Sequence, residues 1–309
     1  MIDAFALLLT ILVLVTAGWI AVARDTRAVV FGFIGYGLLL SLVWVLLSSV
    51  DVALTEAAIG GGATGILLLR VAARLKVEPH PAPGRAMRIS VGVLCAIVTA
   101  ALAAIVLTLP DPAPSLAPLT AEHLASTELG NPVTAVLLAY RALDTLLEIF
   151  VLLLALIGVW SLGADRYWGG APAEWNTGMP APALAFLARI LPPFGIVFAA
   201  YLFWVGADEP GGKFQTSTIL AAMWLLVVMA GILPMPQTGG RRIRAALAIG
   251  PVVFIAIGFA GIPMAGGFLA YPEGFAKPLI ILIEAALAFS IVAALTLLVA
   301  GPAEQAPRS

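Results

Sequence analysis

Residues 277–300 read KPLIILIEAALAFSIVAALTLLVA. After Lys277 a single charge, Glu284, interrupts an apolar run that continues to Ala300. A helix rises about 1.5 Å per residue, so roughly 20 such residues cross a hydrocarbon core about 30 Å thick. That core offers no water to backbone N–H and C=O groups, so a spanning segment must satisfy them internally, as a helix does. Working outward from this run, the same rule gives spans near 2–23, 28–48, 51–73, 89–109, a long run 132–163, then 183–206, 214–233, 244–262 and 277–300. The length and continuity of the runs exclude a closed β-barrel. The fold expected is all-α: a polytopic transmembrane helix bundle of about nine spans, multi-pass in the cell (inner or plasma) membrane.

Composition agrees. The 309 residues are 62% hydrophobic and 11% charged, against roughly 25% charged in a soluble domain. A net charge of −1 gives no basic surface for nucleic acid. Cys95 is the one cysteine, so neither an intrachain disulfide nor a thiolate cluster is available. His80 and His123, the two histidines, fall in polar segments and read as loop residues. No cofactor or metal is expected. The first apolar run lacks a positive n-region and reads as a span rather than a cleaved signal.

Lys and Arg set the orientation. With the N-terminus outside, Arg24, Arg27, Arg70, Arg74, Lys76, Arg85, Arg88, Arg166, Arg241, Arg242, Arg244 and Arg308 fall inside, with Arg189 near an inner helix end. Lys213 and Lys277 remain outside. The split implies an odd number of spans, N-out and C-in. The loop Pro110–Gly130, with Asp111, Glu122 and Glu128 and neither Lys nor Arg, suits the outer side. Trp19, Trp160 and Tyr167 lie near inner ends, and Trp44, Tyr201 and Trp204 near outer ends.

Two polar linkers, Lys76–Arg88 and Gly169–Pro182, divide the chain into blocks 1–80, 81–168 and 169–309. There is no clear internal repeat, which disfavours an inverted-repeat carrier. The tail Gly301–Ser309 is expected to be disordered.

A charge near the bilayer centre costs roughly 2.5–3.5 kcal/mol on insertion scales, so each one is a functional candidate. Those here are Glu56, Arg141, Asp144, Glu148 and Glu284. Asp51 is placed to cap its helix, and Glu56 lies one turn deeper, just before Gly60, Gly61 and Gly62. Three glycines weaken a helix, allow close packing or permit a bulge. Arg141, Asp144 and Glu148, spaced by three and four, form one helical stripe in which ion pairing offsets burial. This stripe could serve ion movement or simply tie two helices. Asn131 at the cap and Pro132 at the first position mark where the helix starts. From Pro132 to Gly163 is about 48 Å at 1.5 Å per residue. Either its first turns lie along the interface, where Arg141 could snorkel to water, or the helix breaks. Glu284, with no nearby cation in sequence, suits a proton relay or a neutral hydrogen bond to another helix.

With this topology, spans three, five and nine run in the same direction. Glu56, Glu148 and Glu284 come early in each, which suggests one lateral polar path in the outer half of the membrane. Pro192-Pro193 should kink its span. Residues 209–215 (EPGGKFQ) read as a tight outer turn without P-loop spacing. Thr120-Ala-Glu-His suggests a short surface helix. No dinucleotide fingerprint, metal motif or nucleophile elbow is present in the sequence, so an enzyme is not expected.

Several of these stretches resemble a known family. DVALTEAAIG (51–60) resembles the MbhD-like segment of membrane-bound hydrogenase and Mrp-type antiporter modules. GNPVTAVLLAYRALDTLLE (130–148) is similar to the MbhE-like pattern. The last four spans, with PGGKFQ (210–215), resemble MnhB, a subunit of multisubunit sodium/proton antiporters. The blocks would then be an MbhD-like three-span segment (1–80), an MbhE-like two-span segment (81–168) and an MnhB-like four-span domain (169–309). The resemblance implies a subunit of a Mrp-like hetero-oligomeric membrane complex moving Na+ and H+. It carries ion-path roles onto Glu56, Asp144 and Glu148; Glu284 rests on burial cost alone. The chain departs from the family pattern at Lys213, where a third glycine is usual, at Thr216-Ser217, where Gly-Gly is usual, and at Tyr140. The alternatives are a scaffold subunit, the same module in a hydrogenase or an inorganic-carbon uptake machine, and a stand-alone carrier.

Overall fold

The structure, a computed structural model, describes residues 4–74, 84–110, 112–173 and 181–307. Lys76, His80 and Asp111 lie outside the described residues, as does part of each polar linker. Among the described residues, eight helices are long and apolar enough to span a membrane, and a ninth apolar helix, Lys213–Met229, has 17 residues, the short limit for crossing.

Helices α1 (Ala4–Val22) and α2 (Thr26–Leu46) form a hairpin. Asp25 caps α2 by accepting from the Ala28 amide at 2.7 Å. The third span is three pieces without interruption: α3 (Val50–Thr55), a π-helical segment (Glu56–Ala63) and α4 (Thr64–Arg74). The triple glycine lies in the π segment. Its backbone packs on α2 so closely that a β-carbon on Gly37 would meet the Gly61 amide nitrogen at 3.1 Å.

Helix α5 (Arg85–Thr108) buries no residue against the rest of the chain. The short surface helix begins a little earlier than expected, as α6 (Ala117–His123). The overlong fifth run is resolved by a break. Asn131 caps α7 (Pro132–Ala135), accepting from the Val133 amide at 2.8 Å. A π turn, Val136–Tyr140, follows, and Arg141 leaves helical geometry (φ −128°, ψ 36°) before α8 (Ala142–Trp160). The break frees backbone carbonyls, and the Thr145 hydroxyl donates to one of them, Leu137 O, at 2.6 Å.

The C-terminal half holds the core. Helix α9 (Pro182–Val205) stays helical through Pro192 and Pro193. It packs on α10 (Lys213–Met229), which packs on α12 (Ala276–Ala300); α11 (Arg241–Ala265) and α8 cover the rest of α12. Thr216 and Ser217 serve this packing. Thr216 donates to Ala199 O of α9 at 2.9 Å, and Ser217 to Ala288 O of α12 at 3.2 Å. Ser290 of α12 donates to Ala246 O of α11 at 2.8 Å and accepts from the Gly250 amide at 2.9 Å.

Two expectations need correcting. The tail is docked as far as Gln305. The amides of Glu304 and Gln305 donate to Ala171 O at 3.0 and 3.1 Å, and Ala303 bridges to Pro172. Small residues let the two backbones meet there. Lys213, expected in an exposed outer turn, is 3% exposed. The reversal between α9 and α10 folds under itself and carries the lysine into the bundle.

Candidate functional site

The site is organised by the α9–α10 reversal. Gly212 adopts φ +123°, a conformation that L side chains rarely take. Asp51, expected as a cap, instead reaches across to this turn. One carboxylate oxygen accepts from the Gly211 amide at 2.9 Å, and the other from the Asn131 side chain at 3.4 Å. The Asn131 amide group also donates to Glu209 O at 3.0 Å and Gly206 O at 3.3 Å, and the Thr134 hydroxyl donates to Gly206 O at 2.7 Å. Gln215 donates to Asp51 O at 3.3 Å and to the Thr55 hydroxyl at 3.0 Å. This knot joins α3, the start of α7 and the α9–α10 turn.

Lys213 is the first helical residue beneath the knot. Its ammonium lies 5.0 Å from the centre of the Phe214 ring. Its charge acts on both Glu148 of α8 and Glu284 of α12, and its backbone amide faces the Glu284 carboxyl. Glu284 is 3% exposed and also feels the charge of Asp51. Glu148, Thr145, Lys213, Phe214 and Leu287 border a void of about 10 Å³, too small for more than a single water. Glu148 itself reaches the lateral surface of the chain.

The fold therefore places Glu148 beside Lys213 and Glu284 beside the adjoining Gly212. It does not bring in the other candidates. The Glu56 carboxylate turns back toward Gly60 of its own helix and toward Gly37 of α2. Asp144 pairs with Arg141 at 2.5 Å on an exposed face, with side chains 52% and 70% exposed. Lys213 and Asp51 were missed by sequence reasoning; the departure from the family's glycine at 213 was the available signal.

Two polar contacts outside the spans frame the site. Lys277 donates to both oxygens of Asp208 at 2.7 Å. That hydrogen bond holds the Asp208 carboxyl below the ordinary carboxylate range, against a smaller opposing effect of burial. The Tyr271 hydroxyl donates to Leu138 O in the π turn at 2.7 Å, and burial raises its pKa, keeping it a neutral donor. Among the described residues, no three His, Cys, Asp or Glu side chains converge to hold a metal.

In chemical terms, Glu284 and Lys213 are buried in one site, with Glu148 at its lateral edge. A lone charge there would be costly, and pairing offsets that cost. With every group ionised the acids outnumber the lysine, so the cluster has capacity for protons.

The MbhD family of MBH subunits matches residues 11–77, and the domain related to the MnhB subunit of Na+/H+ antiporter matches residues 183–302. No curated protein matches the chain. Among solved structures, a chain of the Mrp complex from Dietzia sp. DQ12-45-1b aligns with 99% of this chain at 24% identity and a TM-score of 0.77. The present chain covers 36% of that one, about a third of its length. The membrane-bound sulfane sulfur reductase, an archaeal respiratory membrane complex, includes a chain aligning with 69% of this one at 25% identity and a TM-score of 0.55, and 96% of that chain is covered. The chain thus carries an MbhD-family segment and a domain related to the MnhB subunit in one polypeptide.

Proposed function

We propose that the chain is a subunit of a Mrp-type complex exchanging Na+ for H+, and that Glu148, Lys213 and Glu284 form part of its proton path. The observation that carries this reading is the buried Lys213, which lines one void with Glu148 of α8 and follows Gly212, against which the carboxyl of the buried Glu284 of α12 lies. Its partners would be the other membrane subunits. Glu148 reaches the lateral surface, and a carboxylate facing lipid is costly, so another subunit's polar group is its natural neighbour. Asp144, on the same stripe, extends that face, while Glu56 is the candidate for a separate entry on the α2 side.

The test is transport by the whole complex carrying Glu148→Gln and Glu284→Gln. Each should leave assembly intact and reduce proton-coupled Na+ movement at least about tenfold, the range expected for loss of a proton-transfer group. Normal transport with both substitutions present rejects the reading.

A scaffold role in a related machine, hydrogenase-linked or for inorganic-carbon uptake, is the second reading. The knot of Asp51, Asn131 and Gly211 favours it, because it ties the three blocks together. Under that reading the two Gln variants transport normally, Asp51→Ala impairs assembly, and the copurifying subunits identify the machine.

A further inference from the structure

We propose that the groove beside α6, together with the exposed stripe of α7 and α8, seats a transmembrane helix of a partner subunit, and that this helix carries a lysine or arginine opposite Glu148. This rests on the reading of the chain as one subunit of a membrane complex and adds the chemistry of the neighbour.

The first argument is room. Between α6 and the segment formed by α7 and the π turn lies a groove of about 1080 Å³, bordered by Leu119 and His123 on one side and by Val133, Leu137 and Tyr140 on the other. Voids larger than a water molecule are few in packed proteins, so a groove of this size is filled in the membrane. Arg141 borders the groove and pairs with Asp144 of α8, so the groove adjoins the face of α8. Along that face Asp144, Leu147, Glu148, Val151 and Ala155 are exposed at helical spacing. The surface left open is long and narrow, as a helix docked alongside requires.

The second argument is charge. The stripe sets one cation, Arg141, against two carboxyls, Asp144 and Glu148. Arg141 is taken by Asp144. Glu148 shares the border of a small void with the buried Lys213, but among the described residues no ion pair joins the two. Its carboxyl is left exposed on the lateral surface. A carboxyl facing hydrocarbon is costly, and a basic side chain offsets that cost by pairing with it.

The third argument is depth, which separates a protein neighbour from a lipid. Helix α8 has 19 residues, about 28 Å at 1.5 Å per residue, close to the roughly 30 Å of the hydrocarbon core. Its ends therefore mark the two boundaries of that core. Glu148 follows the first residue, Ala142, by six residues, about 9 Å along the axis. Lipid ammonium groups stay at headgroup level. Acyl chains would fill the groove and leave Glu148 without a counter-charge, whereas a helix brings its lysine or arginine to the depth of its own backbone.

The experiment places a photoreactive benzophenone amino acid at Leu119, Leu147 or Val151 in turn, in the assembled complex, and identifies the adducts by mass spectrometry. Leu147 and Val151 should attach to one transmembrane segment of another subunit, with a lysine or arginine within a helical turn of the attachment point, and Leu119 should reach the same segment. Glu148→Lys should weaken retention of that subunit at least about tenfold, the scale for a like-charge contact replacing an ion pair. Reversing the partner's basic residue to glutamate should restore it. Adducts to lipid alone, or to a segment with no basic residue within a turn, overturn the proposal, even if Glu148→Lys fails to accumulate. Unchanged retention in Glu148→Lys also overturns it. Failure of the subunit reading is separate: it appears as a chain that purifies alone and transports Na+ by itself. Normal transport in the Glu148→Gln, Glu284→Gln double variant rejects the proton path, whatever the crosslinks give.

Discussion

Asp51 shows how much a single side chain can hold together. Its two oxygens fix the Gly211 amide and the Asn131 side chain, and its carbonyl accepts from Gln215. Replacing it with alanine leaves the Gly211 N–H without its acceptor, a loss on the order of 1–3 kcal/mol. Asp51→Ala should therefore lower the melting temperature in detergent clearly, and Asp51→Asn, which keeps one acceptor oxygen, should do so less. An unchanged melting temperature in Asp51→Ala would show that the knot is incidental. Asp208 gives a prediction in pH. Its carboxyl is held low chiefly by the Lys277 hydrogen bond, so the folded pKa lies below the unfolded value. The stabilisation is present above the ordinary carboxylate pKa of about 3.9 and is lost as pH falls through the lowered value. Lys277→Ala should remove this contribution at neutral pH and flatten the acid limb of the stability curve. An acid limb identical to that of the native chain would count against the pair. Glu148 and Glu284 were legible in the sequence because a charge in an apolar run is costly wherever it points. Lys213 was not, because it directly follows a loop, and hydropathy cannot tell a turn that faces water from one folded beneath a knot.

At the scale of elements, both irregular helices serve packing. Gly60 to Gly62 signalled a weakened span, and the chain answers with a π segment pressed against α2. A β-carbon on Gly37 would meet backbone of Gly61 at 3.1 and 3.2 Å, so the two helices would have to part by a few tenths of an ångström. Gly37→Ala should lower stability by roughly 1 kcal/mol and Gly37→Leu by about 3, the range for overpacking. A leucine variant as stable as the native chain would mean that α2 is free to move. The excess length of run 132–163 made a break one of two possible outcomes. Its position at Arg141 was not legible, since it depends on the Thr145 hydroxyl and the Tyr271 hydroxyl, which satisfy carbonyls of the π turn. Tyr271 comes from a loop 131 residues beyond Tyr140 in sequence, and no local pattern announces such a contact.

For the whole molecule, the distribution of burial argues for company. Helix α12 is buried along most of its length, whereas α5 buries none of its residues. Apolarity located both helices equally well, because lipid and protein interior are alike to a hydropathy count; which faces meet protein was not legible. In lipid, helices associate through small residues and close backbone approach, and α5 carries Gly92, Ala96, Ala100 and Ala104 at intervals of four, on one face. A helix so equipped, with none of its residues buried among the described residues, fits a neighbouring subunit, as the proposed assembly requires. Cys95 sits beside this row and is exposed in the isolated chain, which makes it a built-in reporter. A carbene probe that partitions into the bilayer and is activated by light, which needs no thiolate, should label Cys95 readily when the chain is expressed alone, and at least about tenfold less in the assembled complex if the neighbour covers that face. Equal labelling rates would leave α5 facing lipid, and the partner contact would then have to fall to the exposed stripe of Asp144 and Glu148 on α8.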